Sequence, residues 1–297
     1  MSGVILRSEA AAAPVAAASA TTHRCQIFGQ ARIAYRGDGA ASRLAGLYQT
    51  DPLRVLFPGV AAGDIPCAAL VTTAGGLVGG DRLGIAASVG PGAAAQVAGQ
   101  AAEKVYRSTG ADVSIDVELD AAAGGWLEWL PQETILFDGA RLRRMTTVAV
   151  EGDARVLAGE IVVFGRTAMG ETVRSGLLND RWRIRRDGRA VWADALHIDG
   201  AFEVILAAPA GFDGARAAAT AVYAGPDPKE RLDAVREWVA AIDAPVRAGV
   251  TVVNGILVVR FLAADALALR TAFGGFWAWF RNRAGGWPAV LPRLWSV

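Results

Sequence analysis

Val113-Ser114-Ile115-Asp116-Val117-Glu118-Leu119-Asp120 alternates apolar and polar residues without a break. A period of two sends Val113, Ile115, Val117 and Leu119 to one face and the four polar side chains to the other, which predicts a strand with one wet face. Shorter stretches of the same kind lie on both sides of it, at residues 32–35, 54–57, 82–89, 146–150, 181–186, 190–193 and 251–261. Turn signals separate them, among them Arg36-Gly37-Asp38-Gly39, Glu151-Gly152-Asp153 and Arg186-Asp187-Gly188. Short strands joined by tight turns predict a mainly β body. The 35 glycines agree, because turns and bulges need residues that tolerate positive φ.

Helical spacing is confined to the last third of the chain. Pro226, Asp227 and Pro228 open a segment in which Leu232, Val235, Val239 and Ile242 recur every three or four residues. A second predicted helix, from Ala264 to about Arg283, carries Leu267, Phe273, Trp277 and Phe280, although Gly274-Gly275 costs it roughly 1 kcal/mol per glycine. No fixed-period repeat and no Pro/Ser linker divides the chain. The expected organisation is an Ala-rich disordered tail over residues 1–24 and a single β-rich domain over residues 25–297.

The chain has 297 residues, 53% of them hydrophobic, with 30 Lys+Arg against 29 Asp+Glu and a formal charge of +1. That composition suits a globular protein and supplies no field to gather nucleic acid or an anionic membrane. No apolar stretch is long enough to be a spanning helix. Two cysteines, Cys25 and Cys67, and two histidines, His23 and His197, make neither a disulfide framework nor a four-ligand zinc centre, so a reducing compartment is expected.

The glycine-rich run at 75–81, GGLVGGD, matches neither the phosphate-loop pattern nor the dinucleotide fingerprint, and strand rather than helix follows it. A glycine corner between strands is the simpler reading and a ligand loop the alternative; Asp81 would be held rigidly in either. Gln132 and Glu133 stand between apolar stretches, either in a solvated loop or lining a polar passage. For Glu160, Arg166 and Glu171 a structural ion pair is the default. No serine elbow or histidine-paired nucleophile is present, although two carboxylates that meet only in three dimensions could still make a carbohydrate-active or other carboxylate enzyme.

Five blocks in order, GGLVGGD at 75–81, QAAEKVYRS at 100–108, WLPQETILFDGA at 129–140, EIVVFGRTAMGE at 160–171 and LPRLW at 291–295, closely resemble the UreD (UreH) family of urease accessory proteins from about Arg32 onward. The resemblance implies a two-layered, β-helical or sandwich-like body with about two α-helices in the C-terminal third. It also implies a cytoplasmic, non-catalytic chaperone that docks on apo-urease and, through UreF, recruits the GTPase UreG for nickel insertion. Carried over by motif, Asp81, Glu133, Glu160 and Glu171 become candidate carboxylates along a transient nickel passage. Lys104, Tyr106, Trp129, Gln132, Arg166, Arg293 and Trp295 become structural or partner-contact residues. Hard aquo-ions suit carboxylate and water, and a conduit must release what it binds, so few histidines and cysteines fit passage rather than storage. Ala68 after Cys67, and Thr72-Thr73-Ala74 before the glycine turn, depart from the family pattern, so no metal role is assigned to Cys67.

Without a GK[ST] loop or a GxGxxG, the isolated chain is expected to bind neither GTP nor an organic cofactor. Calorimetric titration of the pure protein with GTP should give no heat of binding, and micromolar affinity would refute the expectation.

Overall fold

The computed structural model describes residues 26–39, 41–166, 169–242 and 245–295; the Ala-rich stretch 1–24 and Cys25 lie outside them. The central strands coil. β4 (Cys67–Thr72), β6 (Ala94–Gly99), β9 (Trp126–Leu130) and β12 (Arg155–Phe164) stack in parallel in one sheet. Alternating with them along the chain, β5 (Arg82–Val89), β8 (Val113–Ala121), β11 (Arg141–Val150) and β13 (Ser175–Arg186) stack in parallel in a second sheet. Each coil therefore adds one strand to each layer, which is a β-solenoid.

Further strands finish both layers. β1 (Phe28–Asp38) continues the parallel stack beside β5, β2 (Ala41–Gln49) pairs antiparallel with β1, and β14 (Arg189–Ala201) pairs antiparallel with β13 at the other edge. The first sheet is extended by β3 (Leu53–Leu56) beyond β4, and on the far side by β15 (Ala217–Ala224), β17 (Ile256–Ala263) and β16 (Val246–Val253). Two short strands, β7 (Glu103–Val105) and β10 (Thr134–Leu136), run parallel beside the C-terminal half of β12.

The predicted alternation on β8 is observed. Val113, Ile115, Val117, Leu119 and Ala121 are buried between the sheets, while Asp116, Glu118 and Asp120 are exposed. The other sheet does not alternate: every residue of β9 and all but Arg155 of β12 are buried. Both of its faces are covered, one by the opposing sheet and one by helices. The expected helices are α2 (Pro228–Ala240) and α3 (Ala266–Gly285); a third, short one, α1 (Phe202–Ala207), was not anticipated and buries Phe202 and Leu206.

Asp265 caps α3, accepting from the Ala268 amide at 2.7 Å, and Gly286 ends it in the left-handed region at φ 75°. Phe273, Phe276, Trp277 and Phe280 make the buried stripe of α3, each contributing about 1.5–3 kcal/mol of burial. Gly274, a liability by propensity, has a packing reason: a Cβ there would meet the Leu291 side chain at 2.8 Å. The segment 251–261, expected as one strand, is a hairpin broken at Asn254-Gly255, both with positive φ.

Beneath α3 a buried carboxylate gathers donors from across the chain. Glu128 accepts from Gln96 Nε2 at 2.6 Å, Trp126 Nε1 at 2.8 Å, Trp277 Nε1 at 3.0 Å and Arg281 Nε at 3.0 Å. Arg281, almost fully buried, also donates to both Asp64 oxygens, at 2.6 and 3.1 Å, and to the Pro288 carbonyl at 2.7 Å. Removing either member of the Glu128–Arg281 pair leaves an uncompensated buried charge, a loss of about 3–5 kcal/mol. Arg281→Ala should therefore lower the thermal midpoint by many degrees, whereas Arg236→Ala, at an exposed pair on α2, should leave it within experimental error.

Candidate functional site

Alternation along β11 turns Arg144 and Thr146 inward beside Leu142 and Val148, and alternation along β13 turns Asp180 inward beside Leu178 and Trp182. Glu160 enters the same space from β12 in the opposing sheet. Arg144 is the centre of the group. Its Nε donates to Asp180 Oδ1 at 3.0 Å, its Nη1 to Thr134 Oγ1 at 3.0 Å, and its Nη2 lies 2.6 Å from Glu160 Oε2. Thr146 donates to the other Glu160 oxygen at 2.5 Å. Glu160 Oε2 receives no aligned hydrogen bond in this arrangement, so it keeps acceptor capacity.

Two voids meet at Glu160. One, of about 70 Å³, lies between the sheets against Thr72, Glu103, Gln132, Thr134, Arg144 and Glu160, with apolar walls that include Leu70, Ile85 and Trp129. The other, of about 30 Å³, is lined by Glu160, Asp180, Asp194 and Thr220 among others. Both exceed the ~10–15 Å³ a cavity needs to admit a water. At the far side of the smaller void, Asp194 pairs with Arg260 at 2.6 Å. Thr72 donates to Glu103 at 2.7 Å on the wall of the larger one.

Burial raises the Glu160 carboxyl well above the usual range; Arg144 opposes the shift and the neighbouring Asp180 carboxylate adds to it. Burial pulls Arg144 down, but Asp180 and Glu160 together outweigh it and hold the guanidinium above its ordinary value. Glu103 is raised by burial against the Thr72 hydrogen bond. The two voids are lined by carboxylates and a pinned cation. Among the described residues no group of three or more His, Cys, Asp or Glu side chains could hold a metal as a resident site.

The candidate carboxylates do not all come together. Glu160 is in the channel. Asp81 is fully buried, and its two oxygens accept from the backbone amides of Ile27 (2.9 Å) and Val78 (2.8 Å). It lines neither void and acts as a staple between the glycine turn and the chain entering β1. Glu133, expected beside Gln132 in a passage, points to the opposite side, with Oε2 3.8 Å from Arg270 Nε. Glu171 sits at the surface, accepting from Arg166 Nε at 2.8 Å; despite the opposing effect of burial, Arg166 and the Asp138 amide hold it below the usual carboxylate range.

Around them, Tyr106 donates to the Gly75 carbonyl at 2.8 Å and stacks edge-on against Phe137, while Lys104 offers its carbonyl to the Leu77 amide. Gly76, at φ 140°, admits no side chain: a Cβ would lie 2.5 Å from the Tyr106 ring. Trp129 walls the larger void, Gln132 donates to the Leu294 carbonyl at 2.9 Å, and Trp295 packs on Phe273 and under the Arg270 guanidinium. Arg293 is exposed, and Arg166 lies 4.3 Å over the Phe137 ring. Arg144, Asp180, Glu103 and Asp194 were not singled out from sequence. The signal for the first two was there, because Leu142-x-Arg144-x-Thr146-x-Val148 and Leu178-x-Asp180-x-Trp182 put charge on an apolar face.

The sequence that builds these elements matches a known family. A model described as UreD urease accessory protein matches residues 28–296. The chain belongs to the UreD family of urease accessory proteins. A UreD from Magnetococcus marinus is 46% identical over 91% of this chain and 94% of its own length. One from Methylobacterium sp. (strain 4-46) is 45% identical over 87% of this chain and 90% of its own length. That of Xanthobacter autotrophicus is 43% identical over 98% of this chain and 97% of its own length. The channel around Glu160 and Arg144 therefore lies inside the UreD-matching region, and no helix among the described residues is long and apolar enough to cross a membrane.

Because the folded pKa of Glu160 is raised, its contribution to stability is present below the ordinary carboxylate range and lost as pH rises through the raised value. Glu160→Gln should flatten the fall in stability as pH rises above the ordinary carboxylate range relative to the parent chain, read by denaturant unfolding at several pH values. An unchanged pH profile would contradict the raised value.

Proposed function

We propose that this UreD family member is a non-catalytic urease maturation chaperone that docks on apo-urease and, with UreF and the GTPase UreG, supports nickel insertion. In this reading nickel is cargo and passes through the channel between the sheets. Family membership supports the accessory role, and the observation that carries the passage is that Glu160 lines both internal voids. An entering dication loses hydration, which carboxylates and a handful of waters offset. Arg144 fits as well: its single positive charge, shared between Asp180 and Glu160, keeps the site from holding an ion too tightly. Asp81, Glu133 and Glu171 serve as framework in this reading, and Glu103, Glu160, Asp180 and Asp194 take over the path.

The carboxylate-enzyme alternative fares worse. A void of about 70 Å³ is well under the roughly 300–1,000 Å³ of ligand pockets, and its carboxylates are clamped by an arginine rather than flanking an open cleft. Docking on a partner is consistent with the apolar side chains left exposed around β2 and β3, including Leu44, Leu47, Tyr48, Leu56 and Phe57.

Glu103→Gln and Glu160→Gln are expected to lower nickel loading of urease several-fold in reconstituted activation while the complex with apo-urease and UreF still co-elutes. Asp81→Ala should instead lose folded protein, because two buried amides lose their acceptor at about 1–3 kcal/mol each. Normal loading by both Gln variants would eliminate the passage and leave the scaffold role.

A further inference from the structure

The outer face of the second sheet carries two rows of charge with no partner among the described residues. Asp116, Glu118 and Asp120 stand exposed on β8, and Arg181, Arg183 and Arg185 stand exposed on β13. Among the described residues no ion pair uses any of the six. β11 runs between the rows and pairs with both strands in parallel, in one register: Asp116–Met145–Arg181, Glu118–Thr147–Arg183 and Asp120–Ala149–Arg185. At about 4.8 Å per strand the rows are roughly 10 Å apart, too far for direct pairing and near the screening length at ordinary salt. Asp120 shows the lack of a counter-charge: partial burial, then repulsion from Glu118 and Glu151, raises its carboxyl above the ordinary value.

The rows are equidistant from β11 and opposite in sign, so the face is complementary to itself under one operation. A two-fold axis along β11 lays a second copy face to face with strand heights preserved. It sets Asp116, Glu118 and Asp120 of each copy over Arg181, Arg183 and Arg185 of the other. A two-fold axis across the strands would instead oppose like charges. The strands next outward are also matched: small residues of β5 (Gly84, Ala86, Ser88) fall over small residues of β14 (Ala195, Ala193, Ala190), allowing close approach. At the lower end of the axis, Arg143 shares the Asp112 carboxylate with Arg141, which leaves one positive charge there.

We infer that this face is a self-association surface, on which a second copy of the chain docks about a two-fold axis along β11 through six reciprocal Asp/Glu–Arg pairs. A face of five strands is at the small end of what a specific interface uses, so the dimer is weak and held by charge. This inference is independent of the nickel passage, which lies between the sheets rather than on this face.

Sedimentation of the full chain at about 0.02 M and about 0.5 M salt, where the screening length falls from roughly 20 to roughly 4 Å, should give the mass of two chains at low salt and of one at high salt. Arg181→Glu/Arg183→Glu/Arg185→Glu, and separately Asp116→Arg/Glu118→Arg/Asp120→Arg, should each be monomeric alone. An equimolar mixture of the two should recover a two-chain mass as a heterodimer. A single chain at both salts, or a dimer indifferent to row reversal, overturns the inference. So does a row reversal whose only effect is lost binding to apo-urease, which would assign the face to a foreign partner. Should a reversed variant fail to fold, Thr147→Cys in the parent rows decides: lying on the axis, it should cross-link to its own copy under mild oxidation at low salt but not at high salt. Ala34→Cys, far off the axis, should not, and equal cross-linking at both positions overturns the geometry.

Discussion

Arg144 ties the two layers of the solenoid together from inside. It stands on the inner face of β11, grips Asp180 on its own sheet, and reaches Glu160 and Thr134 on the other. A buried guanidinium is tolerated only because every side of it meets an acceptor, and those acceptors are tolerable inside the protein only because of it. Apolar side chains fill the rest of the inter-sheet space, from Ile33 and Leu83 to Val148 and Ile184. Close packing around a polar cluster of this shape leaves voids beside it, and both lie against Glu160. The channel is a consequence of burying charge between two sheets rather than an addition to the fold.

The Glu128–Arg281 cluster does for the outer layer what Arg144 does for the inner one. Hydrophobic contact alone would hold α3 on the sheet, since Phe273, Phe276, Trp277 and Phe280 all face it. Contact is non-directional, however, and does not by itself set the path of the C-terminal segment, apolar as its Trp287, Val290, Leu291, Leu294 and Trp295 are. Arg281 fixes it by donating to the Pro288 carbonyl, and Trp295 completes the seal by packing on Phe273. The LPRLW block at 291–295 thereby closes the outer wall at Gln132, which lines the larger void. A sequence block at the chain terminus is in this way tied to the channel through packing.

What could be read from the residues divides along the same line. The second sheet was legible, because it has one wet face and its strands alternate; the turns at Gly152 and at Asp187-Gly188 mark its corners. The first sheet was hidden, because β9 and β12 are buried on both faces and a continuous apolar run has no period. Of the channel, Glu160 was visible as a charge inside the apolar run Ile161 to Phe164. Asp81 misled for a related reason: a lone carboxylate in a glycine turn looks poised for a ligand, yet it serves two backbone amides, one of them 54 residues away. Arg281 and Glu128 are separated by 153 residues, and nothing local in either segment points to the other.

The two faces of the second sheet also show why burial and solubility place opposite demands on the same strands. On its inner face one arginine stands against two carboxylates, because burial between the sheets removes bulk solvent from all three. On its outer face three arginines and three carboxylates remain apart at roughly 10 Å, since water solvates each row and no pairing is required for folding. A charge that folding does not need is free to be used for assembly, where the cost of desolvation is recovered only if the opposing surface presents the opposite sign in register. The common register of β8, β11 and β13 supplies that condition at three consecutive levels, because parallel strands in a solenoid repeat each coil at the same height. The coil that builds the buried channel therefore also builds the ordered charge pattern on the outside of the molecule.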